Sequence, residues 1–138
     1  MSEKVNFVEQ IIEFNKVVLG IEPRELGIMS EAEIDITAKS LIEEAEEFVE
    51  AHMDGNFLGT VDALLDSIYF AVGALYKSGL TAEQICESMS AVHHCNMDKK
   101  LGVNRKRGDG SAADAVKPVG WTAPEERISK ILGDTWQS

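Results

Sequence analysis

Residues 41–77, which decide the fold class, read LIEEAEEFVEAHMDGNFLGTVDALLDSIYFAVGALYK. Two helical patterns flank the turn signal Asp54-Gly55-Asn56 in this stretch. The pattern before the turn combines acidic and apolar residues at helical spacing, and the pattern after it is apolar on nearly all sides. A helix that is apolar almost all round is typical of a protein interior. We therefore predict two consecutive helices, the second of them buried.

Further helices are predicted on both sides of this stretch. Apolar residues at helical spacing predict a first helix over residues 4–19. Ser30 and Glu33 have the spacing of a capping box and mark the start of the second helix. Thr81 and Gln84 repeat that spacing at the start of a fourth helix.

The remainder of the chain predicts a loop and one short helix. Residues 102–120 are rich in glycine and have no helical periodicity, and Pro124 is placed to begin a last helix. No alternating strand pattern and no repeat is present. We predict an all-α fold, a bundle of four main helices plus a short C-terminal helix, in a single domain spanning residues 1–138.

Charge and composition exclude several classes of function. The formal net charge of −11 disfavours binding to a nucleic-acid polymer. Neither a signal peptide nor an apolar run approaching the ~20 residues of a membrane span is evident, so we expect no membrane partner and a cytoplasmic location, or the host cytoplasm for a phage protein. The two cysteines suggest no disulfide framework.

Five carboxylates form the most informative constellation. Glu43, Glu44 and Glu47 are helix neighbours in the second helix, and Asp62 and Asp66 are neighbours in the third. Carboxylates on a buried helix need a partner, and no lysine or arginine lies between Lys39 and Lys77. Hard divalent cations such as Mg²⁺ prefer carboxylate oxygens. The pattern therefore predicts a magnesium site between two antiparallel helices.

The acidic residues admit two other interpretations. The acidic run of the second helix alone is also typical of a solvated face, whose opposite, core side would carry Ile42, Ala45, Phe48, Val49 and His52. A di-iron carboxylate bundle requires Glu-x-x-His, and no histidine of this chain follows a glutamate at that spacing.

Three elements in order carry a family resemblance. These are Glu43-Glu44-x-x-Glu47 followed by Asp66-Ser-Ile-Tyr-Phe, then Val92-His-His-Cys-Asn-Met-Asp-Lys99, then Lys117-Pro-Val-Gly-Trp121. Together they resemble the all-α nucleoside triphosphate pyrophosphohydrolases, the MazG-like and phosphoribosyl-ATP pyrophosphohydrolase-like superfamily. The resemblance covers about residues 5–132.

The resemblance implies a reaction and a set of site residues. It implies cleavage of a nucleoside triphosphate between the α and β phosphates, with Mg²⁺ or Mn²⁺ as cofactor. Glu47 and Asp66 would be metal ligands, and Glu43 or Glu44 would also orient the attacking water or act as its base. Candidate substrates are deoxyribonucleotides such as dUTP and dGTP.

The resemblance also implies substrate contacts outside the acidic residues. Lys99 and Lys117 would contact phosphates, and Asn96 would contact the sugar or base. The basic residues 105–107 would form a lid over the phosphates, with a solvated linker as the alternative. Asn15 would face the base pocket, with surface placement as the alternative.

One position departs from the family pattern, and it bears on the set of metal ligands more than on the function. The family usually has Glu-x-x-Asp in the third helix, and Ala63 occupies the position of that glutamate. Asp62 shares a helix face with Asp66, so we expect Asp62 to replace the missing ligand. The alternatives are a catalytically weakened helical interaction module and a phosphoribosyl-ATP pyrophosphohydrolase. The apolar third helix and the family pattern both predict a homo-oligomer, either dimer or tetramer.

Overall fold

The computed structural model describes residues 4–102 and 114–133, and about two-thirds of them are helical. The predicted all-α class is confirmed. The elements in chain order are α1 (Phe7–Val17), α2 (Glu31–Met53), α3 (Phe57–Lys77), α4 (Ala82–Met97), β1 (Lys100–Gly102), β2 (Asp114–Val116) and α5 (Glu125–Leu132).

The predicted helix starts are confirmed by their side-chain hydrogen bonds. Ser30 Oγ accepts from the backbone N–H of Glu33 at 3.2 Å, and Glu33 Oε1 accepts from the backbone N–H of Ser30 at 3.1 Å. Thr81 and Gln84 form the same reciprocal pair at 3.2 and 3.0 Å. Each pair satisfies two N–H groups that a helix start leaves without partners, which explains why α2 and α4 begin where the sequence predicts.

Helices α2 and α3 form a hairpin whose turn contains Gly55 at φ +67°. Helix α3 packs along α2 and also contacts α1. The approach of α1 is close because Gly73 has no side chain: a Cβ built there would lie 3.2 Å from Asn15 Nδ2. This hairpin fixes which side chains of α2 face α3, and so it positions the acidic residues.

The segment between α1 and α2 is fastened to the C-terminal end of α3. The hydroxyl of Tyr76 donates to the carbonyl of Ile21 at 2.7 Å, and the N–H of Gly27 donates to the carbonyl of Ser78 at 3.0 Å. Gly79, at φ +93°, lies so close to this segment's backbone that a Cβ would clash with it. These contacts fix the segment between α1 and α2 against the C-terminal end of α3.

Several apolar residues of α2 and α3 that were predicted to be buried are exposed to solvent. Ile42, Phe48 and Val49 were expected on the core side of the second helix, but they are exposed, whereas Glu44 is buried. Helix α3 was expected to be buried, but α1 and α2 cover only part of its circumference. Its exposed apolar side chains include Phe57, Leu58, Leu64, Leu65 and Ile68. Periodicity identifies an apolar face but not what covers it.

Helix α3 also corrects the expectation that no apolar stretch approaches the length of a membrane span. With 21 residues and a mean hydropathy of 1.4 in its most apolar window, it meets that criterion by length and composition alone. Core helices of soluble proteins meet the same criterion, and α3 carries Asp62 and Asp66. The absence of a membrane partner therefore stays a prediction.

Contacts divide the chain into two compact units, with the boundary between Ile85 and Cys86. In the second unit, β1 and β2 pair antiparallel, with Lys100 opposite Val116. The expectation that the chain has no strands is therefore wrong, because three-residue strands are too short to show alternation. Helix α5 follows Pro124 as predicted. The predicted lid at residues 105–107 lies outside the described residues, and the single-domain assignment stays a prediction.

Candidate active site

Four of the five predicted acidic residues interact with one another between α2 and α3. The negative charges of Glu47, Asp66 and Asp62 act on Glu44, and those of Asp62 and Glu47 act on Asp66. Helical spacing places Glu44 and Glu47 together on α2 and Asp62 and Asp66 together on α3. The α2–α3 hairpin then brings each pair within range of the other pair's charges. We call Glu44, Glu47, Asp62 and Asp66 the acidic cluster.

Glu44 is the most constrained member of the acidic cluster. Its residue is only 8 % exposed, and its Oε2 atom is buried without a hydrogen-bond partner. Burial raises the pKa of the Glu44 carboxyl, and the charges of its three acidic neighbours raise it further. A buried oxygen of this kind is costly unless a ligand satisfies it.

Asp66 occupies a similar but less enclosed environment. It is half-buried, and burial followed by the charges of Asp62 and Glu47 raises its pKa. Asp62 and Glu47 are exposed. Within residues 4–102 and 114–133, no lysine, arginine or histidine forms an ion pair with any of the four. The acidic cluster thus accumulates negative charge that nothing in the described chain neutralises.

Glu43, the fifth residue predicted for this site, differs from the members of the acidic cluster. It is exposed, and it is not among the groups that raise the pKa of Glu44 or Asp66. In the described residues, no three His, Cys, Asp or Glu side chains converge as a preassembled metal site. The chemistry of the donors nevertheless fits Mg²⁺ or Mn²⁺, because carboxylate oxygens are the preferred ligands and Glu44 Oε2 lacks a partner.

A cavity of about 150 Å³ lies in the same unit, between α1, α2 and α3. Asn15 lines it and is only 3 % exposed, so the alternative of surface placement for Asn15 is wrong. Its Nδ2 donates to the carbonyl of Ile11 at 2.8 Å. The rings of Phe14 and Tyr69 meet edge to face in the wall, with centroids 5.4 Å apart. The cavity also includes Thr37, Ser40, Phe70 and Gly73.

The other predicted substrate-binding residues lie in the second unit. Asn96 is exposed near the end of α4, and Lys99 and Lys117 flank the β1–β2 hairpin. Both ammonium groups lie over the ring of Trp121, at 5.2 Å for Lys99 and 4.8 Å for Lys117 from the ring centroid. Trp121 Nε1 donates to the carbonyl of Cys95 at 2.7 Å.

The sequence assigned no role to Trp121 or to the aromatic cavity residues Phe14, Tyr69 and Phe70. For Trp121 a signal existed, because an aromatic residue four positions after Lys117 follows a glycine suited to a tight turn. For the cavity residues no signal existed, because each fits equally well as an ordinary core position of its helix.

A larger cavity of about 450 Å³ lies at the C-terminal end of α3 and contains none of the predicted site residues. It is lined by α1, by Pro23 and Arg24, and by residues 79–82 around the start of α4. Its mixture of apolar, acidic and basic side chains indicates no particular ligand.

Comparison with known families identifies one match. The family model described as phosphoribosyl-ATP pyrophosphohydrolase matches residues 21–93, just over half of the chain. The matched region contains α2 and α3 entirely, and therefore the whole acidic cluster. No curated protein matches the chain with significant similarity.

Proposed function

The chain belongs to the phosphoribosyl-ATP pyrophosphohydrolase family, part of the MazG-like nucleotide pyrophosphohydrolase superfamily, and from that premise we propose a specific activity. The family is one of hydrolases that act on acid anhydrides, which supports a nucleotide pyrophosphohydrolase-type function. The proposed reaction is metal-dependent cleavage of a nucleoside triphosphate between its α and β phosphates. The products are the nucleoside monophosphate and pyrophosphate.

The observation that carries this proposal is the buried, partnerless Oε2 of Glu44. Replacing Glu44 by an apolar residue would remove an energetic cost, so a functional reason for a carboxylate at this position is needed. A divalent cation satisfies the buried oxygen and neutralises the acidic cluster at once. When bound, it supplies charge neutralisation for phosphate oxygens and a more acidic water.

The acidic residues are proposed to have two roles, cation binding and proton acceptance. Glu44, Glu47, Asp62 and Asp66 hold the cation, since the charges of the other three all act on Glu44. Glu43 is exposed beside them and is left to accept the proton of the attacking water. Glu43→Gln should then lower kcat with cation affinity kept, whereas Glu47→Gln or Asp66→Asn should weaken cation binding as well.

The cavity around Asn15 is proposed to receive the nucleobase. Its volume of about 150 Å³ is well below the ~300–1,000 Å³ of pockets for whole drug-sized ligands, so it suits one ring system. Phe14, Tyr69 and Phe70 offer aromatic surface, and the side-chain oxygen of Asn15 is available to accept a hydrogen bond. Lys99, Lys117 and Asn96 are proposed to contact the phosphates and the sugar.

Self-association is proposed from the uncovered apolar faces. Ile42, Val49 and Met53 line an open groove on the outer side of α2, and each is more than half exposed. Helix α3 leaves a further row of apolar side chains uncovered. Contiguous apolar surface of this kind marks an interaction site. A second copy of the chain, in a dimer or tetramer, would cover it.

Two alternative functions are each favoured by one observation. The family match favours phosphoribosyl-ATP as a substrate, because it carries the name of that reaction. The buried Ala63 at the usual glutamate position favours a bundle that has lost catalysis. The cluster formed by Asp62 with Glu44 and Asp66 argues for the active enzyme.

A substrate screen tests the proposed function. Pyrophosphate release is measured for the common NTPs, the dNTPs and phosphoribosyl-ATP, with Mg²⁺ and with Mn²⁺. The proposal expects turnover of at least one nucleoside triphosphate that stops when EDTA is added. Turnover of phosphoribosyl-ATP alone would establish the alternative, and no turnover in the whole set would contradict both enzyme assignments. Asp66→Asn, with its fold checked by circular dichroism, is the control for a contaminating phosphatase.

A further inference from the structure

The β1–β2 hairpin brings together two lysines that are far apart in the sequence. Its register pairs Lys100 with Val116, so Lys99 and Lys117 extend the same end of the ladder by one position each. Gly102 supports this pairing, because a Cβ there would lie 2.7 Å from a methyl group of Val116. The hairpin therefore places Lys99 and Lys117 opposite each other along the paired backbones.

Trp121 is held against these lysines from two directions. A tight turn leads into it: its backbone N–H donates to the carbonyl of Pro118 at 3.1 Å, and Gly120 has φ +82°. On the other side, its indole Nε1 donates to the carbonyl of Cys95 in α4 at 2.7 Å. Trp121 is thus held by hydrogen bonds from both its backbone N–H and its indole N–H.

The fixed ring attracts both ammonium groups. Lys117 Nζ lies 4.8 Å and Lys99 Nζ 5.2 Å from the ring centroid, within the range of cation–π attraction. In the part of the chain that the structure describes, neither lysine has a carboxylate partner. Two ammonium groups held at one ring without a carboxylate partner favour a multiply charged anion.

We infer that Trp121 is a positioning residue that holds Lys99 and Lys117 as one anion site for the phosphate chain of the substrate. The inference rests on the proposed function for the identity of the anion. Lysine side chains are long and flexible, and ordering two of them on binding is costly. A ring that orders both in advance lowers that cost, so Trp121 acts through the lysines without touching the substrate.

Steady-state kinetics of the full-length chain with Mg²⁺ test this role. Trp121→Leu removes the π surface and should raise KM for the triphosphate by about tenfold, with kcat changed by less than about threefold. Trp121→Phe keeps a ring and should recover most of the loss. Lys99→Met should raise KM similarly, and Lys100→Met, one residue further along β1, is the matched control that should not.

Pyrophosphate binding supplies a readout that does not depend on turnover. Trp121 and Trp136 are the two tryptophans, so in a Trp136→Phe background the fluorescence reports on Trp121. Inorganic pyrophosphate should change that fluorescence saturably, and Lys99→Met should weaken the response. If Trp121→Leu does not fold, as judged by circular dichroism, Trp121→Phe and this titration decide the question.

The outcomes separate this inference from the proposed function. Pyrophosphate binding that depends on Lys99 and Lys117, in a chain that hydrolyses no triphosphate, would support the anion site and contradict the proposed function. Hydrolysis with an unchanged KM in folded Trp121→Leu would overturn the positioning role and leave the proposed function intact. A loss of thermal stability without any change in KM or pyrophosphate affinity would likewise overturn it.

Discussion

The acidic cluster of the first unit and the lysine–tryptophan site of the second are built in contrasting ways. Glu44, with its three acidic neighbours, derives its position from helical spacing on two rigid helices, and its charge is uniformly negative. Lys99 and Lys117 are brought together by a short hairpin and one indole ring, and their charge is uniformly positive. Neither site has neutralising partners among the described residues. Each is therefore expected to bind an ion of the opposite charge. The proposed substrate, a nucleoside triphosphate with its divalent cation, carries charges of both signs.

The largest effect is expected from Glu44→Gln, which removes the buried carboxylate of the acidic cluster and leaves the lysine–tryptophan site unchanged. Activity should fall by about 100-fold or more, because the amide cannot replace a buried carboxylate toward a cation. Metal-free thermal stability should rise, because the substitution removes a buried charge surrounded by like charges. Turnover and thermal melts in EDTA check the two statements together. A variant that is less stable in EDTA and still active would contradict the account.

The contrast between the two sites also explains how much the sequence could predict. Glu44, Glu47, Asp62 and Asp66 were predictable because neighbours on a helix surface follow from spacing alone, and the turn at Gly55 predicts the hairpin. The pairing of Lys99 with Lys117 was not, because it depends on three-residue strands whose pattern is too short to recognise.

The exposed and buried faces show a second limit of sequence reasoning. Ile42 and Val49 were expected on the core side of the second helix, but the structure exposes both and buries Glu44 instead. Apolar periodicity reports that a face needs covering, but a second chain can cover it as well as a neighbouring helix can. Capping boxes were reliable because Ser30 and Thr81 act on N–H groups three residues away, which no distant contact overrides.

Asp62 is the next most informative position, because it tests whether the acidic cluster has four members or three. Asp62→Ala should lower activity by about 10- to 100-fold, nearly as far as Asp66→Ala, and added metal should partly restore it. A loss of only a few-fold at ordinary metal concentration would remove Asp62 from the ligand set. Ala63→Glu is no simple restoration of the family pattern, because Ala63 is 2 % exposed and a larger side chain there should lower stability.

Val49→Glu tests the uncovered face of α2. A charge in the centre of a self-association surface should raise the dissociation constant of the oligomer by about tenfold or more. Sedimentation velocity over a concentration series measures the change. Ile28→Glu is the matched control, since Ile28 is 74 % exposed but lies outside α2 and α3. A wild-type chain that is monomeric at micromolar concentration would contradict the proposed oligomer.

The smallest effect concerns an ion pair that belongs to neither site. Arg24 Nη1 lies 2.8 Å from Glu33 Oε1 and holds the pKa of Glu33 at about 2. Since this folded-state pKa is below the usual value of 4.5, its stabilisation is present above about pH 4.5 and is lost as the pH falls toward 2. Glu33→Gln keeps the capping box and should cost about 1 kcal/mol or less at pH 7.

Thermal melts of wild type and Glu33→Gln between pH 2 and pH 7 measure this difference, which should shrink as the pH is lowered. Glu126→Gln is the control, because the pair Lys130–Glu126 is longer, at 3.7 Å, and almost fully exposed. A Glu33→Gln melting temperature that differs from wild type equally at every pH would exclude the ion pair as the cause.

Binding of Mn²⁺, followed by electron paramagnetic resonance of the free ion, tests the central claim that the acidic cluster is a divalent-cation site. Wild type should remove Mn²⁺ from solution saturably, and excess Mg²⁺ should release it. Glu44→Gln should bind much less, while Lys99→Met, which leaves the acidic cluster intact, should match wild type in the absence of nucleotide. Wild type that leaves millimolar Mn²⁺ free, both with and without a nucleoside triphosphate, would contradict the account.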